Sequence, residues 1–244
     1  MLTERLRIIA GPNGSGKTTL YFFLKENIPT AIWLNADVIL EQFNKKGFIE
    51  YAVLGFVPTY LDFKMFCKKK SSKNFIKEYK LARDLDKISF GKFSVAYIST
   101  DVSNQLAAFL VDFFRELLLL NGVSFTTETV LSHPSKLNLV KLGKDKGYRT
   151  YLYFIGTNSP LINIGRIKSR VFKGGHDVPE EKINSRYTKS IALLTSSIAL
   201  FDRVYLFDNS SKVIQLIASY ENSKLEKIYQ DNLPKWVDFL FKNN

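Results

Sequence analysis

Eight consecutive residues limit the fold of this chain more than any other feature. Gly11-Pro12-Asn13-Gly14-Ser15-Gly16-Lys17-Thr18 satisfies every specified position of G-x-x-x-x-G-K-[ST]. A short apolar, β-branched run, Leu6-Arg7-Ile8-Ile9-Ala10, precedes it, and apolar residues at helical spacing, Leu20, Phe23 and Leu24, follow before Pro29. Strand, glycine loop and helix in that order form the setting in which the pattern holds phosphate. Glycines let successive N–H groups turn inward, the helix N-terminus adds its positive end, Lys17 reaches the outer phosphates, and the Thr18 hydroxyl joins Mg²⁺. Residues Gly11 to Thr18, with Thr19 beside them, are therefore the candidate nucleotide-binding residues.

The same alternation continues along the chain. Strands are expected at 6–10, 31–35, 124–127, 149–155 and 203–207, and helices at 36–45, 105–120, 133–146, 160–172 and from Pro179 onward. Five strands separated by helices predict an α/β fold of the P-loop NTPase type. It would be a three-layer sandwich around a mainly parallel five-stranded sheet, because parallel neighbours need crossover connections. The reading is of one domain over 1–244. The rhythm breaks at 48–100, an expected insertion that is helical around 75–85 and holds Pro58, many aromatics and Lys68-Lys69-Lys70. The tail after Leu225 reads as a helix, followed by Pro234 and a short amphipathic end with Trp236, Phe239 and Leu240.

Composition removes several function classes. A single cysteine, Cys67, excludes an internal disulfide and a multi-cysteine metal site, and two histidines, His133 and His176, leave little for a His-built centre. His133 is expected to pack before Pro134, His176 to act as a hinge or capping residue, and Cys67 to be a packed or inert thiol. The most apolar stretch, 106–123, is interrupted by Asp112, Arg115 and Glu116, so it reads as a core helix and not as a membrane span. The first ten residues carry Glu4, Arg5 and Arg7 and are too charged for a secretory signal, which favours a cytoplasmic protein. The formal charge of +12 favours anionic partners. Between Lys64 and Lys92 ten Lys or Arg stand against Glu78, Asp84 and Asp86. That segment is the candidate surface for nucleic acid or an acidic protein, with a solvated helix pair as the plain alternative.

Candidate chemistry lies beside the loop. Glu128 and Asp208 each end a predicted strand, and neither belongs to the Asp-Glu pair expected of a motor ATPase. Asp37 stands two residues beyond the second predicted strand, at the sheet edge where open α/β sheets bind ligands. It is either the base that takes a proton from an acceptor hydroxyl or a helix N-cap. Arg166 and Arg170 share a helical face, and Arg186 follows the Gly174-Gly175 break on the next helix. Over 160–200 this arrangement reads as a helical lid able to bring guanidinium groups to developing charge.

Several stretches then combine: Ala10 through Thr19, Asn35-Ala36-Asp37, and Thr127-Glu128-Thr129-Val130-Leu131-Ser132. Further on come Arg166, Arg170-Val171-Phe172-Lys173-Gly174-Gly175-His176-Asp177-Val178-Pro179, Arg186-Tyr187 and Phe207-Asp208-Asn209-Ser210. In this order they resemble the zeta-toxin-like P-loop kinases, over nearly the whole chain outside the insertion. The resemblance implies ATP-dependent phosphorylation of the 3′-hydroxyl of the amino sugar in UDP-N-acetylglucosamine, and an antitoxin as candidate partner. It also implies that Lys17 and Thr18 serve ATP and Mg²⁺ and that Asp37 is the base. Glu128 would bind substrate or metal, Arg170 and Arg186 would stabilise the transferred phosphoryl group, and Asn35, Thr129 and Arg166 would lie on the substrate side. The chain departs from the family in having Glu128-Thr129-Val130 where relatives often show Glu-Thr-Thr, and in a longer span from Asp37 to Glu128. Two other readings stay open: a polynucleotide or nucleotide kinase acting on a nucleic-acid end, and an ATP-binding switch module without transferase activity.

Overall fold

Arg5–Ala10 becomes strand β1 because five of its six residues are apolar or buried and no glycine or proline interrupts it. A computed structural model describes residues 3–28, 32–99, 102–175 and 177–241. In chain order its elements are β1, α1 (Lys17–Lys25), β2 (Ile32–Leu34), α2 (Ala36–Lys46), β3 (Phe48–Glu50), α3 (Tyr60–Cys67), α4 (Lys70–Glu78), α5 (Ala82–Leu85), β4 (Ile88–Phe90), β5 (Ser94–Tyr97) and α6 (Asn104–Leu120). They continue with β6 (Phe125–Thr129), α7 (Asn138–Asp145), β7 (Arg149–Gly156), α8 (Pro160–Phe172), α9 (Glu180–Ala192), α10 (Leu194–Ile198), β8 (Arg203–Asp208), β9 (Gln215–Glu221) and β10 (Lys224–Ile228). Contacts group the chain into two compact units, Met1–Thr30 with Glu128–Asn244, and Ala31–Thr127.

In the first unit β7 pairs in parallel with β1, Arg5 opposite Arg149 through Ala10 opposite Phe154, and with β8, ending at Gly156 opposite Asp208. Parallel pairing brings the carboxyl ends of all three strands to one edge, and the loops leaving that edge carry the phosphate motif. Leu6, Ile8, Leu152, Phe154 and Leu206 are buried along these strands. Helices α8 and α9 pack on each other through Ile164, Ile167, Val178 and Ile183.

Two expectations need correction here. The parallel set does not end the sheet: β9 runs antiparallel to β8 and β10 antiparallel to β9, so the five-strand count is too low. The tail after Leu225 is accordingly strand and not helix, with a 3-10 turn at Lys235–Leu240. Asn222 and Ser223, at φ 47° and 68°, supply the two-residue left-handed turn that a tight hairpin needs, and no glycine there marked it.

In the second unit β2 pairs in parallel with β6, Ile32 opposite Phe125. Helix α6 is buried almost all round, with Phe109, Leu110, Phe113, Phe114 and Leu118 at 0–2% exposure. Phe63 and Phe66 of α3 stack edge-on or tilted against Phe109 and Phe113, at centroid distances of 5.1–6.2 Å. The insertion is not wholly helical: besides α3, α4 and α5 it contributes β3, β4 and β5, which form an antiparallel sheet in the order β3-β5-β4. These strands are three to four residues long, too short for a period of two to stand out. Among the described residues no helix is long and apolar enough to cross a membrane.

Candidate functional site

The loop from Gly11 to Gly16 is shaped by three glycines with positive φ: 151° at Gly11, 76° at Gly14 and 102° at Gly16. A side chain would be refused at each. An ideal Cβ on Gly11 would sit 2.2 Å from the Ile155 carbonyl oxygen, on Gly14 2.6 Å from that of Asn163, and on Gly16 2.3 Å from Asn209 Nδ2. Backbone and amide groups therefore back the loop closely, leaving its other side for a ligand. Helix α1, which the loop opens, has no side chain capping its first N–H groups and no acidic residue in its first turn. Elsewhere Asn35, Thr59, Ser103 and Ser159 cap α2, α3, α6 and α8. Uncapped donors at the positive end of a nine-residue helix are suited to an anion. The Ser15 hydroxyl, fully buried, has no hydrogen-bond partner among the described residues.

Lys17 folds back over this loop and donates from Nζ to the carbonyls of Gly11 at 3.1 Å and Pro12 at 3.0 Å. Thr18 donates to Glu128 Oε2 at 3.4 Å, so a hydroxyl and a carboxylate meet at the start of α1. Those are the hard oxygen ligands Mg²⁺ takes alongside phosphate oxygens, and a site of this kind needs no protein cage. Among the described residues no group of three or more His, Cys, Asp or Glu could hold a metal by itself. The residues present thus fit a magnesium-bound nucleotide. The next residue, Thr129, accepts at its carbonyl from Gly11 N and at its hydroxyl from Leu131 N, both at 3.3 Å. Thr19 is exposed on α1.

Arg186 of α9 donates to Asn13 Oδ1 at 3.2 Å and so lies on the loop. Its neighbours hold the helix there: the Tyr187 hydroxyl donates to the Thr157 carbonyl at 2.6 Å, and Ser190 to that of Val130 at 2.7 Å. Burial first, and then the charge of Asp208, push the Tyr187 phenol above its usual range, keeping it a neutral donor. Arg166 and Arg170 line a groove of about 610 Å³ along α8 with Leu161, Gly165, Ser169 and Lys173. Arg166 also donates to the Ser211 carbonyl at 3.5 Å. Lys168 pairs with Glu180 at 2.6 Å, tying α8 to α9. Both helices are docked on their surroundings at many points.

In the second unit, the N-cap of α2 is Asn35, whose Oδ1 accepts from Asp37 N at 2.7 Å. The capping reading of Asp37 therefore falls. Its carboxylate is exposed in the first turn of α2, whereas the Asn35 side chain is occupied by the cap.

Two residues beyond the expected set, Asn209 and Asn163, and the candidate Asp208 also shape the site. Asn209, directly after β8, donates from Nδ2 to the Ser15 carbonyl at 2.8 Å. Asn163, fully buried in α8, accepts from Thr157 Oγ1 at 2.8 Å and backs Gly14. Asp208 accepts from Trp236 Nε1 at 2.7 Å and from Ser210 N and Oγ at 3.0 and 2.8 Å, so both of its oxygens are engaged. Asp208 and Asn209 are signalled by their position at the carboxyl end of β8 and by the stretch Phe207–Ser210, whereas Asn163, inside α8, carries no such signal. His133 is exposed and caps the 3-10 turn Pro134–Leu137 through Ser135 N at 3.2 Å, in place of the packing role expected. His176 lies outside the described residues.

No model of a known protein family matches the sequence. An uncharacterized protein of Haemophilus influenzae is 38% identical over 65 residues, which are 27% of this chain and 46% of that protein. Among solved structures, the native AvrRxo1-ORF1:-ORF2 complex has a chain similar at TM-score 0.54 and 14% identity, covering 92% of this chain and 60% of that one. The same complex with ATP gives 0.51 at 16% identity, over 98% of this chain and 63% of that one. The PezAT chromosomal toxin-antitoxin system of Streptococcus pneumoniae gives 0.50 at 13%, over 99% of this chain and 84% of that one. This chain thus spans less than two thirds of the AvrRxo1 chains and less than half of the Haemophilus protein. At these identities the likeness is one of fold, a mixed α/β structure with a parallel-rich sheet.

Proposed function

We propose that the chain is an ATP- and Mg²⁺-dependent phosphotransferase of the zeta-toxin type, with an alcohol of a nucleotide sugar, UDP-N-acetylglucosamine first, as acceptor. The observation that carries this reading is the convergence on one glycine loop of Lys17, the Thr18–Glu128 oxygen pair and Arg186. When bound, magnesium ATP would supply the transferable γ-phosphoryl group. Gly11 to Thr19 would hold its phosphates, with Lys17 exchanging loop carbonyls for phosphate oxygens, and Thr18 and Glu128 would hold the cation. Arg186 and Arg170 would neutralise charge at the transferred group, and the groove at Arg166 would take part of a ligand. Asp37 would accept the acceptor's proton, a role supported by an exposed carboxylate that the helix cap does not use. Asn35 and Thr129 would flank the acceptor. The toxin-antitoxin system among the structural neighbours supports an antitoxin as partner, and a cytoplasmic location is part of the same proposal.

The test is incubation with ATP, Mg²⁺ and a panel of UDP-sugars, free nucleotides and short oligonucleotides, with mass spectrometry of every candidate acceptor. A gain of one phosphoryl group on a UDP-sugar, reduced about 10²- to 10⁴-fold by Asp37→Asn, is the expected outcome. Modification of oligonucleotides alone would move the reading to a nucleic-acid end kinase. Consumption of ATP with no acceptor modified would leave the switch module.

A further inference from the structure

We infer that Trp236, in the 3-10 turn Lys235–Leu240, is a positioning residue that sets the geometry of the phosphate loop through Asn209. The inference rests on reading Gly11–Thr18 as a nucleotide cradle. Trp236 is 5% exposed, and its ring lies where a side chain on Gly156 would have to go: an ideal Cβ there would sit 2.5–2.7 Å from three indole carbons. Phe154, two residues earlier on β7, meets the same ring at a centroid distance of 5.6 Å. The indole N–H donates to Asp208 Oδ1. One side chain thereby grips the carboxyl ends of β7 and β8 together, at Gly156 and Asp208.

Asn209 hangs from both grips. It follows Asp208 in the chain, and its backbone N–H donates to the Gly156 carbonyl at 2.9 Å. Its amide then reaches the Ser15 carbonyl and fills the space beside Gly16. With φ fixed by no side chain at Gly14 or Gly16, the direction of the N–H groups around Ser15 depends on such outside supports. Removing the indole N–H leaves a buried carboxylate one donor short, and its relief is a rotation of Asp208 that carries Asn209 along.

The test is magnesium ADP affinity measured by calorimetry on the full chain, which requires no knowledge of the acceptor. Trp236→Phe keeps ring bulk and deletes the donor, and is expected to weaken binding about tenfold, the size of one lost hydrogen bond to a charged group. Asn209→Ala should weaken binding similarly, and the double variant should be no weaker than Asn209→Ala alone, since both act through one support. In a Trp33→Phe chain, Trp236 is the sole tryptophan, and nucleotide addition should change its emission. A lowered melting temperature with unchanged affinity in Trp236→Phe, additive losses in the double variant, or emission blind to nucleotide would each overturn the inference. A wild-type chain that binds no nucleotide would overturn the cradle reading, and this inference with it. Wild-type binding left intact by Trp236→Phe overturns this inference alone.

Discussion

Gly16 combines two constraints that can be separated by a control elsewhere in the chain. At φ 102°, with Asn209 Nδ2 at 2.3 Å from an ideal Cβ, it refuses a side chain both conformationally and sterically. Gly47 has φ 77° but nothing within 4 Å. Gly47→Ala should therefore cost only the left-handed strain of about 1–2 kcal/mol and leave nucleotide affinity unchanged. Gly16→Ala should add displacement of Asn209 and weaken magnesium ADP binding more than about tenfold, as thermal melts and calorimetry on both variants will read. Cys67 gives a second residue-scale prediction. Burial pushes its thiol from 9.0 up to about 11, so its thiolate fraction at pH 8 falls about a hundredfold. Iodoacetamide should label the native chain about a hundredfold more slowly than the denatured chain at that pH. At this scale the glycine loop is legible in the sequence, because Gly11–Thr18 is local: the strand before it, its three positive-φ glycines and the helix opened at Lys17 lie where the pattern puts them. Asn163 and Trp236 carry no local mark of this kind, and Asn209, though within the stretch Phe207–Ser210, reaches Ser15 across 194 residues of chain through an ordinary amide hydrogen bond.

Elements owe their stability here to end groups that can be tested one at a time. Helix α2 begins at Asn35, whose side chain satisfies one of the first free N–H groups. Asn35→Ala should cost about 1 kcal/mol in denaturant unfolding, while Asn35→Asp, which keeps the acceptor, should cost little. Asp202 joins the start of β7 to the approach to β8. Burial alone would raise its pKa, but hydrogen bonds from Thr150 N, Lys144 and the Thr150 hydroxyl outweigh it and lower the value below 3.8. A depressed carboxylate contributes stability that is present above the unfolded pKa and is lost as pH falls through the folded one. The stability gap between wild type and Asp202→Asn should thus be full above about pH 5 and shrink as pH falls through the folded pKa, as urea titrations across pH 2–6 will show. Most of the elements with a strong helical period or an apolar run, α2, α6, α8, β1, β7 and β8, follow the expected positions. The elements misread are short or turn-dependent. β4 and β5 lack length for a period, and the β9–β10 hairpin turns on Asn222-Ser223, a pair without the glycine that announces such turns.

Charge is the property that belongs to the whole chain, and it discriminates between the two transferase readings. The formal excess is +12, and the segment from Lys64 to Lys92 holds ten of the 35 Lys and Arg residues with three acids. Lys70, Lys73 and Lys77 recur along α4, all exposed, while Phe75 and Ile76 turn partly inward. A single-stranded acceptor lying on that face would release counterions from each phosphate it contacts, so six contacts would lose about a thousandfold in affinity between 50 and 200 mM salt. A nucleotide sugar brings only one diphosphate, and its kcat/KM should change less than about threefold over the same range. The triple variant Lys70→Glu, Lys73→Glu and Lys77→Glu removes the basic face at exposed positions, where substitutions usually shift stability by no more than about 0.5 kcal/mol each. Transfer to a UDP-sugar should survive in that variant with its shallow salt profile intact. If transfer instead collapses in the triple variant and the wild-type rate falls steeply with salt, then α4 carries the acceptor. The small-molecule reading then gives way to a nucleic-acid end, with the cradle at Gly11–Thr18 unchanged in either case.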